Sequence, residues 1–256
     1  MATGSEKELL QLQSRLKDLA EKSYRQNVYT HTGFLGLAQL DVYYRMEKEL
    51  SFSHPALFGG YDGAERMMIR FGNPEEFGYE EKFPIVCIKV SPLLAKFAEN
   101  LSHRDFLGAL MNLQIDRSQI GDILVGEKVS YFYCVETMAD FICENLTQIK
   151  HTHIRCEITG EHADVVEEEP KEMTVLTSSL RADGCISKVY NLSRTDSLNM
   201  FQAGKVYING RMTENNSYNL KENDVVNVRG YGKFVFRGLK YESKKGKSCL
   251  DILLYR

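Results

Sequence analysis

The chain has 256 residues, of which 43% are hydrophobic, and its 32 Lys and Arg against 35 Asp and Glu give a formal net charge of −3. This length allows one large or two to three small domains with packed cores. No apolar run approaches the roughly 18 residues of a membrane helix, and residues 1–10 lack a signal-peptide pattern. The six cysteines are scattered without a CxxC pair, which argues against a zinc knuckle and a disulfide framework. We therefore expect a cytoplasmic protein.

Residues 1–78 are predicted to form a mainly helical region. Helical spacing is shown by four leucines: Leu9, Leu12, Leu16 and Leu19. Since this stripe spans barely two heptads, packing within its own domain is favoured over a coiled-coil partner. Residues 34–39 begin a second helical run, and the glycine-rich segment 58–63 is interpreted as a turn before the strand-like segment 67–71.

Residues 79–168 are predicted to form a ferredoxin-like domain with the order βαββαβ. Strands are expected at four segments: 85–90, 123–125, 129–135 and 153–158. Ser102 with Asp105 predicts the start of one helix, and Thr137 is expected to cap the other. RNA-recognition modules share this topology, but so do enzymes and regulatory domains.

Tyr131 and Tyr133 share one face of the third predicted strand of this domain. Aromatic side chains at such positions can stack on bases, but the glycines of the RNA-recognition pattern are missing here. We therefore favour aromatic filling of a covered sheet face over base stacking.

A C-terminal domain at 174–256 follows a charged, proline-containing linker, with the break near Pro170. Apolar spacing predicts a first helix that contains Ile186, and Ser193 is a typical cap of a second helix that ends at Gly204. Asn209-Gly210 predicts a two-residue hairpin turn, and segments 234–241 and 248–255 are predicted strands.

The charges divide unevenly along the chain. Residues 171–256 hold 15 Lys and Arg against 8 Asp and Glu, a net charge of +7, so the preceding residues carry −10. A basic segment attracts phosphate groups, whereas an acidic one is repelled by them. The basic segment is therefore expected to meet nucleic acid, and the acidic part to face away from it or to bind protein.

The C-terminal segment resembles the alpha-L RNA-binding motif, the domain type named after small-subunit ribosomal protein four. It departs from that pattern at Ala182 and Gly184, which soften the first helix without removing a charge. The matching positions are Arg181, Asp183, Ser193, Arg194, Gly204, Val206, Asn209-Gly210, Leu220, Asp224, Val228 and Arg229.

The alpha-L resemblance implies RNA contacts from both helices and the following strand. The residues that we carry over are Arg181, Lys188, Ser193, Arg194, Lys205, Asn209, Arg211, Arg229 and Lys233. For any one of them, a solvated surface charge is an equally good interpretation. The hairpin tip adds Lys244, Lys245 and Lys247, which either contact phosphate or protect a sheet edge from aggregation.

Three further strings, in order along the chain, resemble the YlmH family of bacterial RNA-binding proteins. They are Phe58 with Gly60-Tyr61 and residues 63–66, residues 103–111, and residues 120–123. The resemblance implies a cytoplasmic factor that binds structured RNA on the ribosomal large subunit. It also implies a role in the rescue of stalled, tRNA-obstructed subunits during nascent-chain quality control, with a link to cell division.

Enzymatic functions are less well supported. Neither glycine-rich segment, 58–63 nor 230–232, joins a strand to a helix as a nucleotide-binding turn requires. Asp105 and Asp122 are explained as a helix-start residue and a turn residue, and His151, His153 and His162 lack further metal ligands.

The sequence therefore predicts an α+β, non-enzymatic RNA-binding protein without cofactor or metal, whose partners are rRNA or tRNA and the large subunit. The alternatives are an RNA-modifying enzyme of the pseudouridine synthase or methyltransferase type, and a cell-division-linked interaction scaffold.

Overall fold

The computed structural model describes residues 4–159, 170–242 and 246–255. They form a mixture of helices and antiparallel sheets, as expected for an α+β chain. The chain divides into two compact units, Met1–Val166 and Glu167–Arg256. Within the described ranges, no helix is long and apolar enough to cross a membrane.

The first unit begins with helices and a small sheet. Its elements are α1 (Gly4–Gln26), β1 (Thr30–His31), α2 (Leu37–Leu50), β2 (Ala56–Phe58), β3 (Met68–Phe71) and the single turn α3 (Pro74–Phe77). The three strands pair in the order β1-β3-β2. The leucine stripe of α1 packs against α2 and β3 around Leu16, Leu40 and Phe71, which confirms that α1 packs within its own unit.

A five-stranded antiparallel sheet follows in the same unit. Its elements are β4 (Ile85–Pro92), α4 (His103–Asn112), β5 (Ile120–Leu124), β6 (Ser130–Val135), α5 (Ala139–Asn145), β7 (Gln148–Ile149) and β8 (Thr152–Thr159). The strand order is β5-β6-β4-β8-β7. One sheet face packs on α4 and α5 through Ile88, Phe106, Phe132 and Ile142, all of which are buried.

Local sequence signals explain where α4 begins, but not where α5 begins. Asp105 accepts a hydrogen bond from the backbone amide of Ser102 at 2.8 Å, which closes the predicted capping box. The prediction for Thr137 is wrong, because this residue lies in a short 3₁₀ turn and α5 is preceded by Met138.

The second unit contains a six-stranded antiparallel sheet and two helices. Its elements are β9 (Lys171–Thr177), α6 (Ala182–Val189), α7 (Arg194–Gln202), β10 (Val206–Ile208), β11 (Arg211–Met212), β12 (Val225–Val228), β13 (Gly232–Glu242) and β14 (Ser248–Tyr255). The strand order is β11-β10-β12-β13-β14-β9. Ile186 and Phe201 from the helices join Val206, Val226 and Phe234 in one buried core, so the helices cover one sheet face.

The turn chemistry of this unit follows the sequence closely. Asn209 and Gly210 have φ values of 51° and 78°, as a two-residue hairpin turn requires, and Gly204 ends α7 with a φ of 61°. Ser193 caps α7 by accepting the amide of Asp196 at 3.0 Å. These predictions are confirmed, whereas β9 lies in a segment where no strand was predicted.

Candidate nucleic-acid interface

Two exposed basic residues of the second unit, Lys205 and Arg229, lie opposite each other just beyond the paired ends of β10 and β12. The backbone amide of Arg229 donates to the carbonyl oxygen of Lys205 at 2.9 Å, extending the ladder in which Val206 pairs with Val228. Val206 and Val228 are fully buried in the core. Because side chains alternate along a strand, Lys205 and Arg229 project from the opposite face, which we call the outer sheet face.

The outer sheet face continues across β12, β13 and β14. Asn227 pairs with Lys233, and Lys233 pairs with Tyr255, whose ring centroid lies 5.1 Å from the Lys233 ammonium. The electron-rich face of the ring attracts the ammonium group and so restrains the Lys233 side chain, which remains partly exposed. Lys205, Arg229 and Lys233 therefore line one end of the outer sheet face.

The acidic side chains that the register places on the outer sheet face belong to β9 and β14. Glu172 lies on β9, and Asp251 on β14 pairs with Lys240 at 3.1 Å. Among the residues that the structure describes, neither Lys205 nor Arg229 has a carboxylate within ion-pair distance. Positive charge is therefore concentrated at the β10–β12 end of this face.

The cations predicted on the helices lie elsewhere. Lys188 on α6 and Arg194 at the start of α7 are exposed, but both helices cover the sheet face that points away from Lys205. The structure thus divides the predicted cations between the outer sheet face and the helix layer. Ser193, between the helices, uses its hydroxyl as the cap of α7.

Arg181 takes part in a contact that fixes the start of α6. Its guanidinium forms a two-pronged ion pair with Asp183, with Nε to Oδ1 at 3.1 Å and Nη2 to Oδ2 at 2.8 Å. This hydrogen-bonded carboxylate raises the pKa of Arg181 above its usual value. The side chain remains 42% exposed, so it can still meet solvent while it supports the fold.

Asn209 also serves the fold. Its amide nitrogen donates to Asp224 at 2.8 Å, and its side-chain oxygen accepts the amide of Val225 at 2.9 Å. Both ends of the side chain therefore hold the β10–β11 turn against the start of β12. Arg211, two residues later, is exposed on β11.

The hairpin-tip lysines are described only in part. Lys244 and Lys245 lie outside the described residues, whereas Lys247 is exposed just before β14. The prediction that this loop contacts phosphate therefore stays a prediction.

The sheet of the first unit offers less room for bases than its topology suggests. Tyr133 is only 3% exposed and its ring stacks on that of Tyr61, with centroids 5.2 Å apart and planes inclined by 17°. A base cannot stack on Tyr133 in this arrangement. The expectation of aromatic filling is confirmed for Tyr133, while Tyr131 is partly buried.

Asp122 joins the two parts of the first unit. This residue lies in β5, not in a turn as the sequence suggested, and it accepts hydrogen bonds from the Tyr61 hydroxyl at 3.0 Å, the Glu65 amide at 2.7 Å and the Arg66 amide at 3.1 Å. The strings at 58–66 and 120–123, far apart in sequence, thus meet at one carboxylate. Their resemblance to a family was visible in the sequence, but their contact was not.

The described residues hold no cluster of potential metal ligands, and the pKa of three thiols is raised. Among them, no three His, Cys, Asp or Glu side chains form a cluster that could hold a metal ion. Burial raises the pKa of Cys134, Cys156 and Cys185 to about 12, so these thiols stay protonated near neutral pH.

Comparison with known proteins links these features to a family. The family model "Putative RNA-binding domain in YlmH" matches residues 79–162. The chain is also 29% identical over 202 residues to the "Ribosome-associated protein quality control protein P2" of Bacillus subtilis (strain 168), which covers 75% of this chain and 74% of that protein. The chain is therefore similar to the YlmH family, by its family model over residues 79–162 and by this relative over most of its length.

A solved structure titled "Cell division protein ylmH from Streptococcus pneumoniae" is 19% identical, with a TM-score of 0.46, and covers 62% of this chain and 93% of that one. Residues 79–162, which match the family model, contain the five-stranded sheet and Asp122. Lys205 and Arg229 lie outside the matched range. The basic outer sheet face is therefore a feature additional to the matched domain.

Proposed function

We propose that this protein is a non-enzymatic RNA-binding factor whose second unit docks on folded rRNA or tRNA. The observation that carries the proposal is the opposed pair Lys205 and Arg229, continued by Lys233 along the outer sheet face. Like charges directly opposite each other on paired strands destabilise a sheet, so their placement favours a polyanionic partner. A phosphate backbone supplies closely spaced negative charges for these side chains.

The arrangement of the helices and sheets also supports an RNA-binding function. The five-stranded sheet is consistent with a ferredoxin-like domain, and the two helices with the following hairpin are consistent with an alpha-L domain. We take residues 1–78, 79–168 and 174–256 as the corresponding domains. The α6–α7 layer, with Lys188 and Arg194, then forms a second and weaker candidate surface.

The biological setting is proposed from the relatives. One is named a ribosome-associated quality control protein, and the matching family model is named for RNA binding. We propose that the chain acts in the cytoplasm on the ribosomal large subunit, in rescue or quality control of stalled nascent-chain complexes. A protein partner for the acidic residues before 171 remains a further proposal.

Two measurements test this function. In filter-binding titrations, the affinity for rRNA and tRNA should fall steeply as salt rises, because each neutralised phosphate releases counterions. In sucrose gradients, the chain should sediment with large subunits. An affinity that does not change between low and high salt would contradict docking through phosphates.

A further inference from the structure

Two arginines of the first unit share one hydrogen-bond acceptor. Nε of Arg66 and Nη1 of Arg117 both donate to the carbonyl oxygen of Ile120, at 3.0 Å and 2.6 Å. Arg66 also donates through Nη2 to the carbonyl oxygen of Arg117 at 3.0 Å. The two guanidinium groups therefore lie side by side, and both carry a positive charge.

The charges of this arginine pair are poorly balanced by nearby acids. In the described parts of the chain, no carboxylate lies within ion-pair distance of either guanidinium. Asp122 already accepts three hydrogen bonds, and Asp116 accepts the amide of Ser118 at 2.7 Å. Burial, followed by the charge of Arg117, lowers the pKa of Arg66 to about 10, although Asp122 and Asp116 oppose this shift. Two adjacent cations with so little compensation favour an added anion.

Several guanidinium nitrogens are available to such an anion. Nη1 of Arg66 and Nε and Nη2 of Arg117 have no acceptor among the described residues, and none of the three is a buried atom. Each of the three therefore keeps some access to solvent at the edge of a largely buried side chain. Planar guanidinium groups with free N–H donors match the geometry of phosphate oxygens.

Two further basic residues, His103 and Arg104, lie at the start of α4. His103, the first residue of α4, is exposed and interacts electrostatically with Arg117, Asp122 and Arg66. Although part of the residue is exposed, partial burial of the ring and then the charge of Arg117 lower the pKa of His103. Arg104, the next residue, is also exposed.

We propose that Arg66, Arg117 and His103 bind a backbone phosphate of RNA, so that the first unit makes its own contact with the nucleic acid. The proposal rests on the RNA-binding function proposed above and adds a second point of attachment to it. It concerns a position within the family-matched range, 79–162, together with Arg66, which precedes that range in the sequence.

The first test compares two single variants of the full chain in filter binding. Arg117→Gln should weaken RNA affinity about fivefold to tenfold and reduce the slope of log affinity against log salt by about one, the effect of one lost phosphate contact. Lys22→Gln, which removes an exposed charge from α1 in the same unit, should change neither quantity. If Arg117→Gln binds RNA as the unmodified chain does, the inference is overturned.

The second test needs no substitution. In NMR titrations of the unmodified chain, RNA should raise the pKa of His103, because a phosphate would place negative charge beside the ring. His54, an exposed histidine near Asn73, is the internal reference and should not shift. An unchanged His103 would overturn the inference, even if Arg117→Gln bound RNA more weakly through a change in folding.

A third variant separates this inference from the proposed function. Lys205→Gln with Arg229→Gln removes the pair on the outer sheet face and leaves the arginine pair intact. If this double variant loses RNA affinity while Arg117→Gln and His103 show no effect, the proposed function stands and the second contact fails. If none of the variants alters RNA binding, both fail.

Discussion

Lys205 and Arg229 lie directly opposite each other on the outer sheet face, joined by a backbone hydrogen bond of 2.9 Å between the Arg229 amide and the Lys205 carbonyl. We expect Lys205→Gln with Arg229→Gln to weaken RNA binding about tenfold or more and to reduce the salt slope by about two. Thermal stability should stay equal or rise slightly, since a like-charge pair is removed. Filter binding and thermal melts check both outcomes.

The matched comparison is Lys188→Gln with Arg194→Gln, which removes two charges from the helix layer. If the outer sheet face holds the RNA, this second double variant should lose much less affinity. If the helix-layer variant lost more RNA affinity than the sheet-face variant, the interface would lie on α6 and α7 instead.

Arg181→Ala should lower the melting temperature, because Asp183 then loses both of its contacts with the guanidinium. Arg194→Ala, at an exposed helix start without such a pair, should leave the melt nearly unchanged. Differential scanning calorimetry of the two single variants provides the measurement. Equal melting temperatures would show that the Arg181–Asp183 pair contributes nothing measurable, as for many exposed ion pairs.

Asn209→Ala should destabilise the second unit by about 1–2 kcal/mol, because it removes two hydrogen bonds and places alanine at a left-handed φ. Asn209→Gly keeps the backbone freedom and loses only the side-chain bonds, so it should cost less. Urea unfolding checks the order of the two variants. RNA affinity should be unaffected, and a selective loss of affinity would restore Asn209 as a contact residue.

Asp122→Ala should destabilise the first unit by about 2 kcal/mol or more, since it removes three hydrogen bonds. Tyr61→Phe removes only one of these bonds and should cost about 1 kcal/mol. Chemical unfolding of both variants gives the comparison. If Tyr61→Phe cost as much as Asp122→Ala, the hydroxyl contact would outweigh the two backbone contacts, contrary to this expectation.

The start of α4 should show a dependence on pH. Hydrogen bonds from Lys150 and Ser102 lower the pKa of Asp105 to about 2 in the folded chain, below its ordinary value of 3.8. The ionised carboxylate therefore stabilises the fold above about pH 4, and this contribution disappears as the pH falls through 2. Asp105→Asn should lower the melting temperature at pH 7, and the difference from the unmodified chain should shrink towards pH 2.

The sequence predicted the helix caps and turns that depend only on neighbouring residues. The capping box of Ser102 and Asp105, the cap at Ser193 and the turn at Asn209-Gly210 each depend on neighbours within a few residues, and all three are confirmed. The prediction for Thr137 failed because a 3₁₀ turn over Glu136–Met138 precedes α5, so the residue before the helix is Met138, which has no capping side chain.

Long-range contacts were beyond such patterns. Pairing of β9 with β14 joins residues 71 to 83 positions apart, and the hydrogen bonds of Asp122 to residues 61–66 span 56 to 61 positions. The candidate site shows the same limit. The sequence identified the cations, but only strand register showed that Lys205 and Arg229 share a face and that Arg181 and Asn209 also hold the fold.

Tyr61 covers Tyr133, and Phe34, Met68 and Cys87 are buried in the same cluster, so apolar packing crosses the predicted boundary at residue 78. A fragment that begins at this boundary would expose hydrophobic side chains of the β4–β6 sheet to water. Recombinant fragments for binding studies should therefore include the first helix, because shorter ones will tend to aggregate.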